Sequence, residues 1–198
     1  SLDAAFVFYG AERHGFLPLK ELTDDFYEKD DEGKRVCNLK ENDEIIVQVL
    51  KEERGTKGAA LSAQLSLAGR FLVLIPNSSR GGGVSRRISG DERDRVKNII
   101  KQLAIPEGMS VIVRTAGLGR NIEELNWDLD YLLSMWSQID KSTKDVDSPS
   151  LIYSDDKLIL RVFRDYYRED IEEILIDDKD VYEAVSYTHL TLPTSYPV

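Results

Sequence analysis

Apolar residues in the first third of the chain come in short runs broken by turn residues, the pattern of strands; further on they fall into helical stripes. In "AAFVFYG" (4–10) an apolar run turns at Gly10, and a second run starts at Gly15. Residues 21–42 are polar and acidic and read as a loop or insertion. "DEIIVQVLKEE" (43–53) predicts a strand, "RGTKG" a turn, and "AALSAQLSL" a returning strand. Several short strands within the first 68 residues predict a small barrel or meander.

The remainder alternates strands and helices. "RFLVLIP" (70–76) is a strand stopped by Pro76, and a glycine-rich loop follows at 80–83. "SGDERDRVKNIIKQL" (89–103) predicts a helix. Ser89 or Gly90 can cap it, acids crowd its first turn, and Val96, Ile99, Ile100 and Leu103 share a face. Ser110 to Val113 reads as a buried strand, and 121–139 as a helix with Ile122, Leu125, Leu129, Leu132, Leu133, Trp136 and Ile139 at helical spacing. Residues 141–150 have the composition of a linker. Beyond them the pattern predicts a strand (158–162), a short helix (163–171) and another strand (173–177), a β–α–β tendency. The tail, 185–198, contains no Asp, Glu, Lys or Arg. It reads either as a terminal strand or as a non-native extension. The second is the expectation, because the segment resembles translated read-through of a sequencing adapter and is set aside from fold reasoning.

Composition narrows the function classes. Hydrophobic content of 41% with 31% charged residues is that of a folded protein with a real core. No apolar run approaches the roughly 18 residues of a membrane span. Cys37 is the only cysteine, which excludes an internal disulfide and a multi-cysteine zinc site and suits a reducing cytoplasm. A formal charge of −10 argues against indiscriminate nucleic-acid binding but leaves room for a local basic site. "SSRGGGVSRR" (78–87) holds three arginines and no acid.

His14 and His189 are the only histidines, so hydrolytic triads and histidine zinc sites find little support. The carboxylate pairs Asp155-Asp156 and Asp177-Asp178 are adjacent, and neighbours on a strand point apart. Phe6 and Phe16 lie on neighbouring strands, with Lys57 in the "RGTKG" turn. Exposed phenylalanines on a small barrel stack bases, each worth roughly 1–3 kcal/mol, and lysine meets a phosphate. The same alternation is also compatible with core phenylalanines. "SVIVRTAGLG" (110–119) ends a strand in Arg114-Thr115. A guanidinium fork and a hydroxyl can hold a terminal phosphate with help from backbone N–H groups, and Gly69 lets backbone come close. The alternative is an arginine paired with a nearby acid.

Five segments together resemble the RNase E/RNase G family of bacterial endoribonucleases: "AAFVFYGAERHGFLPLKEL", "KEERGTKGAALSAQLSLAGRFLVLIPN", "GGGVSRRISGDER", "PEGMSVIVRTAG" and "FRDYYREDIEEILID". The resemblance covers about residues 3–184, and "GAERHGFLPLKE" is more similar to the RNase E branch. It implies an α+β, multidomain architecture. An OB-type S1 β-barrel lacking its first strand would span 1–67, an α/β 5′-sensor region 68–157, and the start of an RNase H-like subdomain 158–184. By motif, Phe6, Phe16 and Lys57 match RNA-contacting positions; Gly69, Val73, Arg114 and Thr115 match a 5′-monophosphate pocket. Phe8 departs from the family's pattern, which usually has aspartate or another residue there. The resemblance implies single-stranded RNA with a 5′-monophosphate as partner, a homo-oligomer when full length, RNA-degradation partners, and a cytoplasmic location or one at the inner face of the bacterial membrane. It also implies Mg2+ and an inter-subunit Zn2+ in the full-length enzyme, with ligands absent here, so this fragment should bind RNA without cleaving it. The alternative is a non-catalytic S1-type RNA-binding module.

Overall fold

The computed structural model describes residues 3–77, 82–85, 87–144, 146–155, 158–166 and 171–182. The chain divides into two units, Ser1–Ile152 and Tyr153–Val198.

In the first unit, β1 (Ala4–Val7) and β2 (Gly15–Pro18) pair antiparallel, with Phe6 opposite Phe16. A polar hairpin follows, β3 (Tyr27–Lys29) and β4 (Arg35–Cys37), then β5 (Gln48–Lys51) and β6 (Ala60–Ser62). The main sheet runs β1-β2-β6-β5, with β2 and β6 parallel, so β1 and β5 form its edges. Period-two alternation sends Leu17 and Leu61 into a core shared with Leu22, Ala59 and Ala63. Full burial of such a leucine stabilises by roughly 1.5–3 kcal/mol.

Two expectations change here. Residues 21–42 are not all loop. The β3–β4 hairpin is largely exposed, and Asp30 Oδ1 organises its turn by accepting from Glu32 N (3.1 Å) and Lys34 N (2.7 Å). A ribbon held by turn chemistry rather than burial carries no apolar alternation to read. The returning segment "AALSAQLSL" is also two pieces: β6 ends at Ser62, and β7 (Leu67–Ala68) belongs to a second sheet. Side chains grip the bend between them. Gln48 donates to Ser66 O (3.0 Å) and accepts from Ser66 N (2.9 Å), while Asn77 donates to Ala63 O (2.7 Å) and accepts from Leu65 N (3.2 Å).

The second sheet runs β7-β8-β10-β9 and adds β8 (Leu72–Ile75), β9 (Gly83–Val84) and β10 (Ser110–Val113). The glycine-rich segment thus contributes a short strand parallel to β10, where a loop was expected. Helices α1 (Gly90–Ile100) and α2 (Ile122–Ser142) match the stripes read from sequence. The α2 N-terminus is a capping box: Glu124 N donates to Asn121 Oδ1 (2.8 Å), and Asn121 N to Glu124 Oε2 (3.1 Å). Leu125, Leu129 and Leu132 of α2 share a core with Leu72, Leu74, Val111 and Val113.

In the second unit, α3 (Leu158–Tyr166) covers the predicted strand 158–162 and the first part of the predicted helix 163–171, and 171–178 has no regular strand. The β–α–β expectation is therefore corrected. A short apolar run fits either element; helical spacing is favoured here because it puts Arg161 and Arg164 on one face, and both reach Asp155. The tail 185–198, with His189, lies outside the described residues, as do Arg80, Arg86 and Asp156. Among the described residues, no helix is long and apolar enough to cross a membrane.

Candidate nucleic-acid interface

Two sites emerge on the first unit. On the β1–β2 hairpin, Phe6 is 66% exposed and its ring meets Phe16 edge-on, with centroids 6.0 Å apart. Sequence alternation left these residues either core or surface; the structure turns Phe6 outward and leaves Phe16 half-buried beneath it. Phe8, also exposed, packs edge-on against His14 at 5.9 Å. Together the two pairs make an aromatic strip along an edge strand.

Lys57 stands in the exposed β5–β6 turn, where Arg54 and Lys57 exchange backbone hydrogen bonds of 3.0 and 3.1 Å. Arg13 donates to the Gly55 carbonyl, so the β1–β2 connection and the Lys57 turn are tied together. Gly58 is required there: a Cβ would lie 2.2 Å from the His14 carbonyl oxygen. Beyond Phe16 an open groove of about 590 Å³ is lined by Asp3, Phe16, Pro18, Leu19, Lys20 and Tyr27. Tyr27 forms one wall, with its hydroxyl donating to Leu19 O (2.6 Å) and Arg35 Cζ 3.8 Å from its ring centroid. Burial, with Cys37 and Asp24 nearby, raises the phenol above its ordinary range despite the opposing Arg35 charge.

The second site sits where β8 and β10 begin and end together. Val113 pairs with Leu72 and Ile112 with Val73, so Leu72 and Val113 face α2 while Val73 and Ile112 face away. Arg114 follows β10 and is half-buried; Thr115 is exposed at the head of a 3-10 turn, Thr115–Gly117. The Arg114 guanidinium donates to the carbonyls of Gly69 and Arg70, the latter at 3.3 Å. Gly69 and Arg114 are therefore brought together, although their sequence positions are far apart. Arg70 and Arg120 stand nearby, with their guanidinium carbons 5.1 and 5.0 Å from the Phe71 ring centroid; Arg120 is also paired with Glu124 Oε1 at 3.1 Å, which offsets its charge.

Three backbone N–H groups of this turn are directed away from Arg114. Arg70, Phe71 and Leu72 donate instead to the buried Asp128 carboxylate at 2.9, 2.8 and 2.7 Å. Sequence reasoning missed Asp128, although a signal existed: an acid within the Leu125, Leu129, Leu132 stripe of α2. Among the described residues, no group of three or more His, Cys, Asp or Glu side chains could hold a metal ion. Asp155 is engaged by Arg161 and Arg164, and Asp178 Oδ1 accepts from Val181 N at 2.9 Å.

Comparison with known proteins matches residues 2–64 to the S1 RNA binding domain and 66–195 to the Ribonuclease E/G family. Ribonuclease E of Escherichia coli (strain K12) is 51% identical over 187 residues, which cover 92% of this chain and 18% of the relative. Ribonuclease E of Buchnera aphidicola subsp. Acyrthosiphon pisum is 48% identical over 195 residues, 96% of this chain and 22% of the relative. Ribonuclease G of Haemophilus influenzae is 34% identical over 186 residues, 90% of this chain and 38% of the relative. The chain thus spans about a fifth of the Ribonuclease E relatives. The exposed aromatic strip lies in the matched S1 segment and the arginine-lined turn in the matched ribonuclease segment; on the strength of these matches the chain belongs to the Ribonuclease E/G family.

Proposed function

We propose that this chain is the RNA-binding and 5′-monophosphate-sensing part of a magnesium-dependent single-strand endoribonuclease of RNA processing and decay. The observation that carries the reading is the meeting of Arg114 with the Gly69–Arg70 turn, beside Arg70 and Arg120. It gathers positive charge at one strand end of a protein with net charge −10. The Arg114 fork and the Thr115 hydroxyl would hold the terminal phosphate; Gly69 would allow close approach, and Val73 would line the site. A 5′-hydroxyl would leave these donors without their charged partner, and a triphosphate would be too bulky. Phe6, Phe16 and Lys57 would hold the following single strand by stacking and phosphate contact.

On this reading residues 1–67 form an OB-type S1 domain, which the non-sequential strand order β1-β2-β6-β5 with its parallel pair supports. Residues 68–157 form the 5′ sensor, and 158–184 open an RNase H-like subdomain. Hydrolysis with Mg2+ and zinc-linked homo-oligomerisation would belong to the full-length enzyme, in the cytoplasm or at the inner face of the bacterial membrane, with RNA-degradation partners. The described residues offer no fitting cation site, so no metal-dependent step is assigned to them.

Two short single-stranded RNAs, identical except for a 5′-monophosphate or a 5′-hydroxyl, test the reading. The chain should prefer the monophosphate. Arg114→Ala should weaken monophosphate binding about ten- to a hundredfold, the worth of a hydrogen bond to a charged group. Binding of the 5′-hydroxyl RNA should hold. An equal fall for both RNAs would remove Arg114 from the sensor role.

A further inference from the structure

Asp128 lies on α2 within a stripe that is otherwise apolar, and it is only 9% exposed. A carboxylate in such a place is costly unless its oxygens are matched. Its match is main chain: the N–H groups of Arg70, Phe71 and Leu72, at 2.9, 2.8 and 2.7 Å. Helix and turn are in close contact, because a Cβ on Gly69 would lie 2.6 Å from both carboxylate oxygens.

The effect on the turn is specific. Gly69 and Leu72 flank the two central residues, Arg70 and Phe71, and Gly69 N donates to Leu72 O at 2.8 Å. In a two-residue hairpin turn the return bond runs from the N–H of the last residue to the carbonyl of the first. Here that bond is divided: the Leu72 N–H goes to Asp128, and the Gly69 carbonyl accepts from Arg114. The N–H groups of Arg70, Phe71 and Leu72 therefore point at α2, and the carbonyls of Gly69 and Arg70 point at the guanidinium.

We propose that Asp128 is a positioning residue for the phosphate site at Arg114, an inference that rests on the 5′-monophosphate reading above. By holding three N–H groups, its carboxylate keeps the Gly69 and Arg70 carbonyls turned toward Arg114 and so fixes where the guanidinium stands. The same three donors satisfy the carboxylate oxygens and hold them on the α2 side of the turn, away from the guanidinium. Without Asp128, the Leu72 N–H is free to close on the Gly69 carbonyl and to compete there with the Arg114 guanidinium.

The test uses the whole chain and the same pair of RNAs. Asp128→Asn keeps the side-chain volume, loses the charge, and sets an amide NH2 among backbone donors. The expected result is a fall of about tenfold in the ratio of monophosphate to hydroxyl affinity, the worth of one unmatched buried donor. Affinity for the 5′-hydroxyl RNA stays level and the circular dichroism spectrum is unchanged. A folded Asp128→Asn chain that keeps the full ratio, or that loses both RNAs equally, overturns the inference.

Amide exchange on the unmutated chain tests the same claim should the variant fail to fold. Exchange at Arg70, Phe71 and Leu72 slows further with the monophosphate RNA and not with the hydroxyl RNA; indifference of these amides to the phosphate overturns the proposal. A wild-type chain with no monophosphate preference is a different failure, since it overturns the 5′-sensing reading itself. Preference in the wild type that Asp128→Asn leaves intact overturns only the role of Asp128.

Discussion

A phenylalanine two-thirds exposed on an edge strand contributes little to a core, so Phe6 separates binding from folding better than other residues of the aromatic strip. Its partner Phe16 is half-buried and adjoins the groove, so truncating Phe16 mixes both effects. Phe6→Ala should leave the melting temperature nearly unchanged, as for surface substitutions within about 0.5 kcal/mol. It should weaken single-stranded RNA by roughly 1–3 kcal/mol, the value of one stacked base. Both RNA ends should suffer alike, because stacking does not read a terminal phosphate. A large drop in melting temperature with unchanged affinity would return Phe6 to a structural role. Phe8 extends the strip, and its edge contact with His14 accounts for a residue that composition alone left without a use.

At the scale of elements, the joint between the two sheets depends on two amide side chains. Gln48 on β5 satisfies both the N–H and the carbonyl of Ser66, and accepts from its hydroxyl at 3.1 Å. Asn77 does the equivalent for Ala63 and Leu65. A bend with no ladder of its own must find such partners or leave polar backbone unmatched. Gln48→Ala should therefore lower unfolding free energy by about 1–3 kcal/mol in chemical denaturation, the cost of stranding partly buried polar groups. A change below about 0.5 kcal/mol, typical of ordinary surface positions, would show that water replaces the amide without loss.

How far the elements were legible follows from what holds each one. Helix α2 was plain, because burial against β8 and β10 writes an apolar stripe, and its capping box fixes its start. The β3–β4 ribbon was hidden, because Asp30 and backbone pairing hold it rather than buried side chains. Strand β9 was hidden in glycines, which pair through backbone and carry no side-chain pattern. The first part of helix α3 was misread as a strand because its short apolar run has no length to arbitrate. In the candidate site, Arg114 was readable as a cation at a strand end and Gly69 as a place of close approach, whereas the bond from the Arg114 guanidinium to the Gly69 carbonyl followed only from the register of β7, β8 and β10. Asp128 went unread because attention to apolar spacing passes over the one polar residue that interrupts it.

For the whole molecule, the decisive quantity is a net charge of −10, the excess of 36 Asp and Glu over 26 Lys and Arg. Such a protein repels a polyanion at long range and attracts it only where charges are concentrated, so its binding should depend on salt through very few contacts. Arg114 and Lys57 are the proposed phosphate contacts, with Arg13 and Arg54 beside the Lys57 turn as further candidates. Between about two and four neutralised phosphates, at about 0.7 per phosphate on a single strand, predict a slope of log affinity against log salt between about −1.4 and −2.8. Lys57→Ala should reduce that slope by about 0.7 for both RNAs, since it meets an internal phosphate. Arg114→Ala should reduce it for the monophosphate RNA alone, because its contact exists only when the end is charged. A slope steeper than about −4 would mean that RNA lies along a longer basic track than these residues supply. Identical slopes for both RNAs in wild type and Arg114→Ala would mean that the end is not read by charge at this site. Measuring both variants across one salt series therefore tests the Lys57 turn and the Arg114 turn as separable contributors to a single binding event.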